Sequence, residues 1–210
     1  WSTCRLCEQN YHGVVSCALG WACWKTYLGR PETDGPRCLA MSVLGNGLSD
    51  ADRDEEALSV QETELAMERR FGDSEDNILT VQSNLATTYE ALGRHEEALF
   101  MQRGVYSGYL RLNGEEGVNT LREANNYAES LNDLKRFKEA KSLLRKTMPV
   151  ARRVLGGNHD HTLRMSLNYA EALRRDSAAT LDDLREAVTM LEETAQTARH
   201  VFGGAHPLTE

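Results

Sequence analysis

Four glycines close four similar stretches of the chain: Gly72, Gly114, Gly156 and Gly203, spaced 42, 42 and 47 residues apart. A second set of landmarks runs in step, with Ala57, Ala98, Ala140 and Ala187 spaced 41, 42 and 47. The in-phase strings are LGNGLSDADRDEEALSV, LATTYEALGRHEEALFM, YAESLNDLKRFKEAKSL and, with an insertion, YAEALRRDSAATLDDLREAVTM. A unit of this length cannot bury its apolar face alone and must stack on its neighbours. The repeat therefore predicts a solenoid, whose stacked units build an extended concave surface rather than a closed catalytic pocket.

Within one unit the apolar residues fall at helical spacing. Leu79, Gln82, Leu85, Ala86, Tyr89 and Leu92 form a first stripe; Gly93 and Arg94 interrupt it, and Ala98, Leu99, Gln102, Val105, Tyr106 and Tyr109 form a second. Two amphipathic helices joined by a tight turn give this pattern, glycine taking the turn where other residues would strain. Leu121, Tyr127, Ala128 and Leu131, then Ala140, Leu143, Leu144, Val150, Ala151 and Val154, repeat it in the next unit. No segment alternates with period two, so the expected fold is all-α, an α-solenoid of helix-turn-helix units. Two departures stand out. Pro149 falls inside a predicted helix, where it removes a backbone donor, costs about 3 kcal/mol and predicts a kink near Arg145. The insertion RRDSAATLDD offers Asp176, Ser177 and Thr180 as helix N-caps.

A net charge of −8 argues against nucleic-acid affinity, which requires a basic footprint. No apolar run approaches the roughly 18 residues that span a bilayer, and no basic leader precedes the apolar stretch after His12. Five cysteines, at 4, 7, 17, 23 and 38, crowd one end in an odd number, a poor disulfide framework that predicts a reducing, cytoplasmic compartment. The chain opens at Trp1 without a methionine and reads as a piece of something longer.

The spacing of small and aromatic residues resembles the tetratricopeptide repeat (TPR), whose usual period is about 34. The longer kinesin light chain variety has a 42-residue period, and its LG-x-x-H-P-x-T-L, LNNLA and G-R-x-E-E-A motifs are matched by LGGNHDHTL, by QSNLA, ANNYA and LNYA, and by GRHEEAL. FGGAHPLT at 202–209 is similar to the lead-in of a further unit. HEAT or armadillo repeats of similar length are the alternative. The expected organisation is a zinc-finger-like remnant at 1–13, a covering helix and linker at 14–37, and an array over 38–210 with units 38–78, 79–120, 121–162 and 163–206. The resemblance implies a right-handed α-solenoid, a non-enzymatic, monomeric scaffold that binds a peptide or protein partner in its concave groove, with neither nucleic acid nor membrane as partner. It assigns groove roles to Asn84, Asn126 and Asn168, an in-phase row whose amides can hydrogen-bond an extended backbone when left free by the protein. Structural use of the same amides at a tight helix contact is the competing reading. Asn125, Arg122, Arg164, Arg174, Glu129 and Glu171 fall at neighbouring groove phases.

The head differs in character. In W-x-x-C-x-x-C-x-x-x-Y-x-G, Cys4 and Cys7 have the spacing at which two thiolates clasp one zinc ion, and two ligands make an incomplete site. The string resembles the final ligand pair of a RING-CH finger, which implies zinc in a full-length parent, no cofactor in this chain, and a substrate-recruiting role in a ubiquitin ligase. Inert buried cysteines, completion of a site by His12 or Cys17, or a redox pair, for which no strand–helix context of the thioredoxin type is present, are the alternatives. The stretch Val14 to Leu28, with Trp21, Trp24 and Tyr27, predicts a helix that packs over the open end of the array. His159 and His161 are accounted for by the repeat motif.

Overall fold

The expected stripes become helices with few changes of boundary. In the computed structural model, which describes residues 11–72 and 74–202, the helices are α1 (Gly13–Tyr27), α2 (Gly35–Ser49), α3 (Asp54–Phe71), α4 (Glu75–Ala91), α5 (His95–Asn113), α6 (Val118–Asp133), α7 (Phe137–Val154), α8 (Asp160–Arg175) and α9 (Leu181–Phe202). No strand occurs among the described residues. The chain divides into two compact units, Trp1–Met101 and Gln102–Glu210, the division falling within α5.

Glycines set the packing at the head of the first unit. A Cβ on Gly20 of α1 would stand 2.9 Å from the Leu44 Cα, and one on Gly47 of α2 would stand 2.7 Å from the Ser16 carbonyl oxygen. The two antiparallel helices therefore touch backbone to backbone, a contact that only glycine permits. Cys17, Leu44, Leu48 and Ala57 form the core there, with Trp24, Ala51 and Val60 packed against it. Trp21 stays 37% exposed, so of the aromatic residues expected to seat α1, Trp24 is the one in this core. A second core joins α3 to α4 through Leu58, Leu65, Val81 and Leu85.

In the second unit Leu121, Leu144, Met148, Met165, Tyr169 and Leu173 are buried between α6, α7 and α8. Each such side chain contributes about 1.5–3 kcal/mol on burial. The small residues of the repeat do what their phase implies: Ala86, Ala98, Ala128, Ala140 and Ala170 are wholly buried, and Ala187 nearly so. A larger side chain at any of them would overpack the contact by about 1–3 kcal/mol. Gly45 holds the corresponding phase in α2, where an added Cβ would come within 3.0 Å of the Gln61 Cγ.

Gly72, Gly114 and Gly156 end α3, α5 and α7 in the left-handed region, at φ 69°, 71° and 94°. The turns inside the hairpins use it too, at Asp52, Gly93 and Lys135, again in phase. Behind each of these turns Arg53, Arg94 and Arg136 bond Glu56, Glu97 and Glu139, which explains the Arg and Glu of the GRHEEA string as a clasp over the first turn of the second helix.

α7 runs unbroken from Phe137 to Val154 with Pro149 inside it. Pro149 and Arg145 are both exposed, so water can meet the carbonyl that the proline leaves without a donor. The insertion is organised as its polar residues promise. Thr180 and Asp183 form a reciprocal capping box at the start of α9, with Asp183 N to Thr180 Oγ1 at 3.1 Å and Thr180 N to Asp183 Oδ2 at 2.8 Å. Asp176 turns inward to Lys141 Nζ at 2.6 Å and accepts from Ala178 N at 3.1 Å, and these bonds hold its carboxyl below the ordinary aspartate range.

Candidate functional site

The asparagine row sits on the first helices of the hairpins, and in the second unit it is engaged by the protein itself. Asn168 of α8 donates through Nδ2 to Asn125 Oδ1 of α6 at 2.9 Å, and Asn132 Nδ2 of α6 donates to the Asn168 carbonyl at 2.9 Å. Asn126 Nδ2 lies 3.3 Å from Glu123 Oε2, and the wholly buried Glu123 is also held by Arg122 Nε at 2.9 Å. The expectation that these amides stand free for a ligand is therefore corrected for Asn126 and Asn168. Asn125 is 3% exposed and works as an inter-helix acceptor, out of a partner's reach. For Asn168 the reason is geometric: α6 and α8 pack directly on each other, so its amide finds Asn125 on the neighbouring helix, whereas Asn126 is held within α6 by Glu123. Removing the Asn168 amide would strand the buried Asn125 oxygen, at a cost of about 1–3 kcal/mol. In the first unit Asn84 is half-buried on α4.

Val118 apart, the exposed residues of α6 and α8 are charged, and four charged side chains fall in two rows. Arg122 and Arg164 stand one repeat apart toward the N-terminal ends of their helices, and Glu129 and Glu171 one repeat apart toward the C-terminal ends. Arg164 Nε reaches Asp160 at 2.9 Å and Arg175 reaches Glu171 at 2.6 Å, both across the i,i+4 spacing of an exposed helix face. Such pairs contribute only about 0.3–0.5 kcal/mol each and exchange readily for a ligand's charges. Glu129 opens to solvent but is crowded by protein; that desolvation, with the carboxylates of Asp133 and Glu171, raises its pKa, while Arg164 opposes the rise. His161 is lowered by burial first, Asp160 opposing and His159, Arg122 and Arg164 assisting, so the arginine row is flanked by a neutral imidazole near pH 7. Arg174 is exposed on α8.

Among the described residues no three His, Cys, Asp or Glu side chains converge as a metal site. His159 caps α8, its Nδ1 accepting from His161 N at 3.2 Å. Cys17, Cys23 and Cys38 form no disulfide among the described residues. Cys4 and Cys7 lie outside the described residues, as does the FGGAHPLT segment beyond Phe202. No described helix is long and apolar enough to cross a membrane. An apolar cleft between α1 and α2, with Cys23, Leu39 and Val43 in its walls, has no motif of its own in the sequence.

Stacked helical hairpins with buried alanines at fixed phase define a helix-turn-helix repeat array. A tetratricopeptide repeat profile matches residues 119–179, and a second profile of the same description matches residues 78–117 and 178–208. The chain carries tetratricopeptide repeats, and such repeats make it a protein-interaction scaffold. Comparison with curated proteins returns no match. Among solved structures, two of the nearly identical TPR-like repeats ascribed to a kinesin light chain of Podosopora anserina are similar. Both are 20% identical, with TM-scores of 0.71 and 0.69, covering 88% and 89% of this chain and 85% and 87% of theirs. BtubC (BKLC) from P. vanneervenii is 16% identical with a TM-score of 0.74, over 91% of this chain and 76% of its own. At these identities the likeness is one of fold.

Proposed function

We propose that the exposed face of α6 and α8 holds a peptide or protein partner, and that the contacts are made by the charged rows with the asparagines as their fixed floor. The observation that supports this is the segregation of the rows. A ligand crossing both helices meets Arg122 and Arg164 along one edge and Glu129 and Glu171 along the other, so it carries acidic side chains on one edge and basic side chains on the opposite one. Asn168 is held by inter-helix bonds to Asn125 and Asn132, which fix the rows at a set separation before the ligand arrives and lower the ordering cost of binding, and Asn126 is held within α6 by Glu123. No step of chemistry on this chain is part of the reading; it acts as a monomer in the cytoplasm, with neither nucleic acid nor membrane as partner. A random peptide library selected on the immobilised chain tests it. Selected peptides should lose about tenfold in affinity, about 1.4 kcal/mol, on Arg164→Glu and on Glu171→Arg, with the double reversal changing which peptides are selected. Selected peptides indifferent to both reversals would reject the reading.

The pattern W-x-x-C-x-x-C-x-x-x-Y-x-G supports a second proposal, that Cys4 and Cys7 are half of a RING-CH zinc site and that the array recruits substrates for a ubiquitin ligase. Half a tetrahedral site has little affinity of its own. The chain purified in zinc should therefore hold well under one equivalent. One tight zinc per chain, lost in Cys4→Ser, would replace this reading with a local site completed by His12 or Cys17.

A further inference from the structure

α1 is apolar over most of its surface, Ser16, Lys25 and Thr26 being its polar side chains. Cys17 and Gly20 are buried, while Val14 is 78%, Val15 47% and Trp21 37% exposed. A helix with this composition is ordinarily covered all round, and here one side of it opens into a cleft against α2 of about 880 Å³. Cys23 and Tyr27 of α1 and Leu39 and Val43 of α2 wall the apolar part, and Leu39 is 65% exposed. Asn46 and Asp50 line the opposite end, where α2 finishes and where His12 and Ser16 also line the cleft. Asp50 is the one carboxylate on the cleft, is exposed, and makes no ion pair among the described residues. Val43 stands in the phase that Asn84 holds on α4, so the cleft lies on the same register of first helices as the asparagine row of its own unit.

We infer that the cleft between α1 and α2 receives a large apolar side chain of a peptide partner whose neighbouring basic residue is held by Asp50. The volume is within the range of ligand pockets, and the lining has the usual make-up of one, apolar walls with a few polar groups that fix orientation. Charge decides the class of occupant. A carboxylate at the edge of an apolar cleft favours a cation placed beside an apolar group and disfavours an acidic peptide. The inference rests on the reading that first-helix faces of this array bind peptides, and it adds the kind of residue taken at the head of the first unit.

The test uses the whole chain and three fluorescein-labelled nonapeptides on a Gly-Ser background: one bearing Leu-Phe followed by Lys, one with Glu in place of Lys, and one with Ser in place of Leu and Phe. The first should raise its anisotropy on titration, the second bind at least threefold more weakly, and the third not bind. Leu39→Asp, a change at an exposed position whose helicity is checked by circular dichroism, should weaken the first at least tenfold, and Asp50→Asn should remove the preference for Lys over Glu. Independently of any variant, saturation with the first peptide should slow iodoacetamide alkylation of Cys23, read by site-resolved mass spectrometry. Equal binding of the first and third peptides, or unprotected Cys23, overturns the inference. Binding that falls with Arg164→Glu but not with Leu39→Asp overturns it too, and leaves the α6–α8 reading standing; the reverse pattern supports it.

Discussion

Glu64 shows how much a single residue can depend on neighbours that the sequence does not reveal. In the sequence it is one of many acidic residues on an amphipathic helix; in the fold it is 2% exposed on α3. The Ser42 hydroxyl of α2 donates to one of its oxygens, and the other oxygen is buried without a partner. Burial pushes its pKa up to about 7, with the Ser42 bond opposing. An unfolded glutamate titrates near 4.3, so between about pH 4.3 and 7 the folded chain keeps a proton that the unfolded chain releases. Stability therefore falls as pH rises through that window, by at most about 4 kcal/mol, and levels off above it. Glu64→Gln should remove the slope: the variant should be more stable than the parent in urea melts at pH 8 and close to it at pH 4. Parallel curves for the two proteins from pH 4 to 8 would show that Glu64 is ionised in the fold. The asparagines give the same lesson. Their phase was legible from the 42-residue spacing, but whether Asn168 faces a ligand or a neighbouring helix depends on inter-helix register, to which spacing along one chain is blind, and Asn126 is taken by a glutamate, Glu123, whose burial the sequence does not show.

Elements were legible where local chemistry decides them. The paired apolar stripes, the buried alanines, the left-handed glycines and the caps of the insertion all follow from steric or hydrogen-bonding demands within a few residues. The turns inside the hairpins were legible only in part. Gly93 announces its turn, whereas Asp52 and Lys135 adopt φ of 56° and 60° with no glycine to signal it. The repeat imposes that geometry, since the following helix must return antiparallel whatever residue stands at the turn. A side chain in the left-handed region costs about 1–2 kcal/mol relative to the right-handed one. Lys135 is exposed, so little packing compensates for the cost. Lys135→Gly should accordingly stabilise the chain by about 0.5–1 kcal/mol, the relief being offset in part by the greater freedom of glycine in the unfolded chain. An increase in the urea midpoint with an unchanged slope checks it; a decrease would mean that the lysine side chain makes a contact that outweighs the strain.

At the scale of the molecule, the pattern of packing matters more than any one contact. In the second unit α6 packs on α7, α7 on α8, α8 on α9, and α6 on α8, so each helix is supported by those next to it in sequence. An array built this way has stability close to a sum of unit and nearest-neighbour terms, and it loses structure progressively when shortened. A globular bundle would instead lose its single core at once. Ending the chain after Gly156 removes α8 and α9 and uncovers the face of α7 that carries Leu144 and Met148, both buried in the whole chain. Exposing them costs about 1.5–3 kcal/mol apiece, a destabilisation concentrated at the new end. The shortened chain should keep most of the helical circular dichroism expected of α1 to α7, unfold at lower urea with a smaller slope, and fray first in α7 by hydrogen exchange. Retained helicity with protection graded toward the cut fits nearest-neighbour coupling. A shortened chain with no helical signal would show that α8 and α9 belong to a core on which the remaining helices all depend, and the array description would then have to be given up.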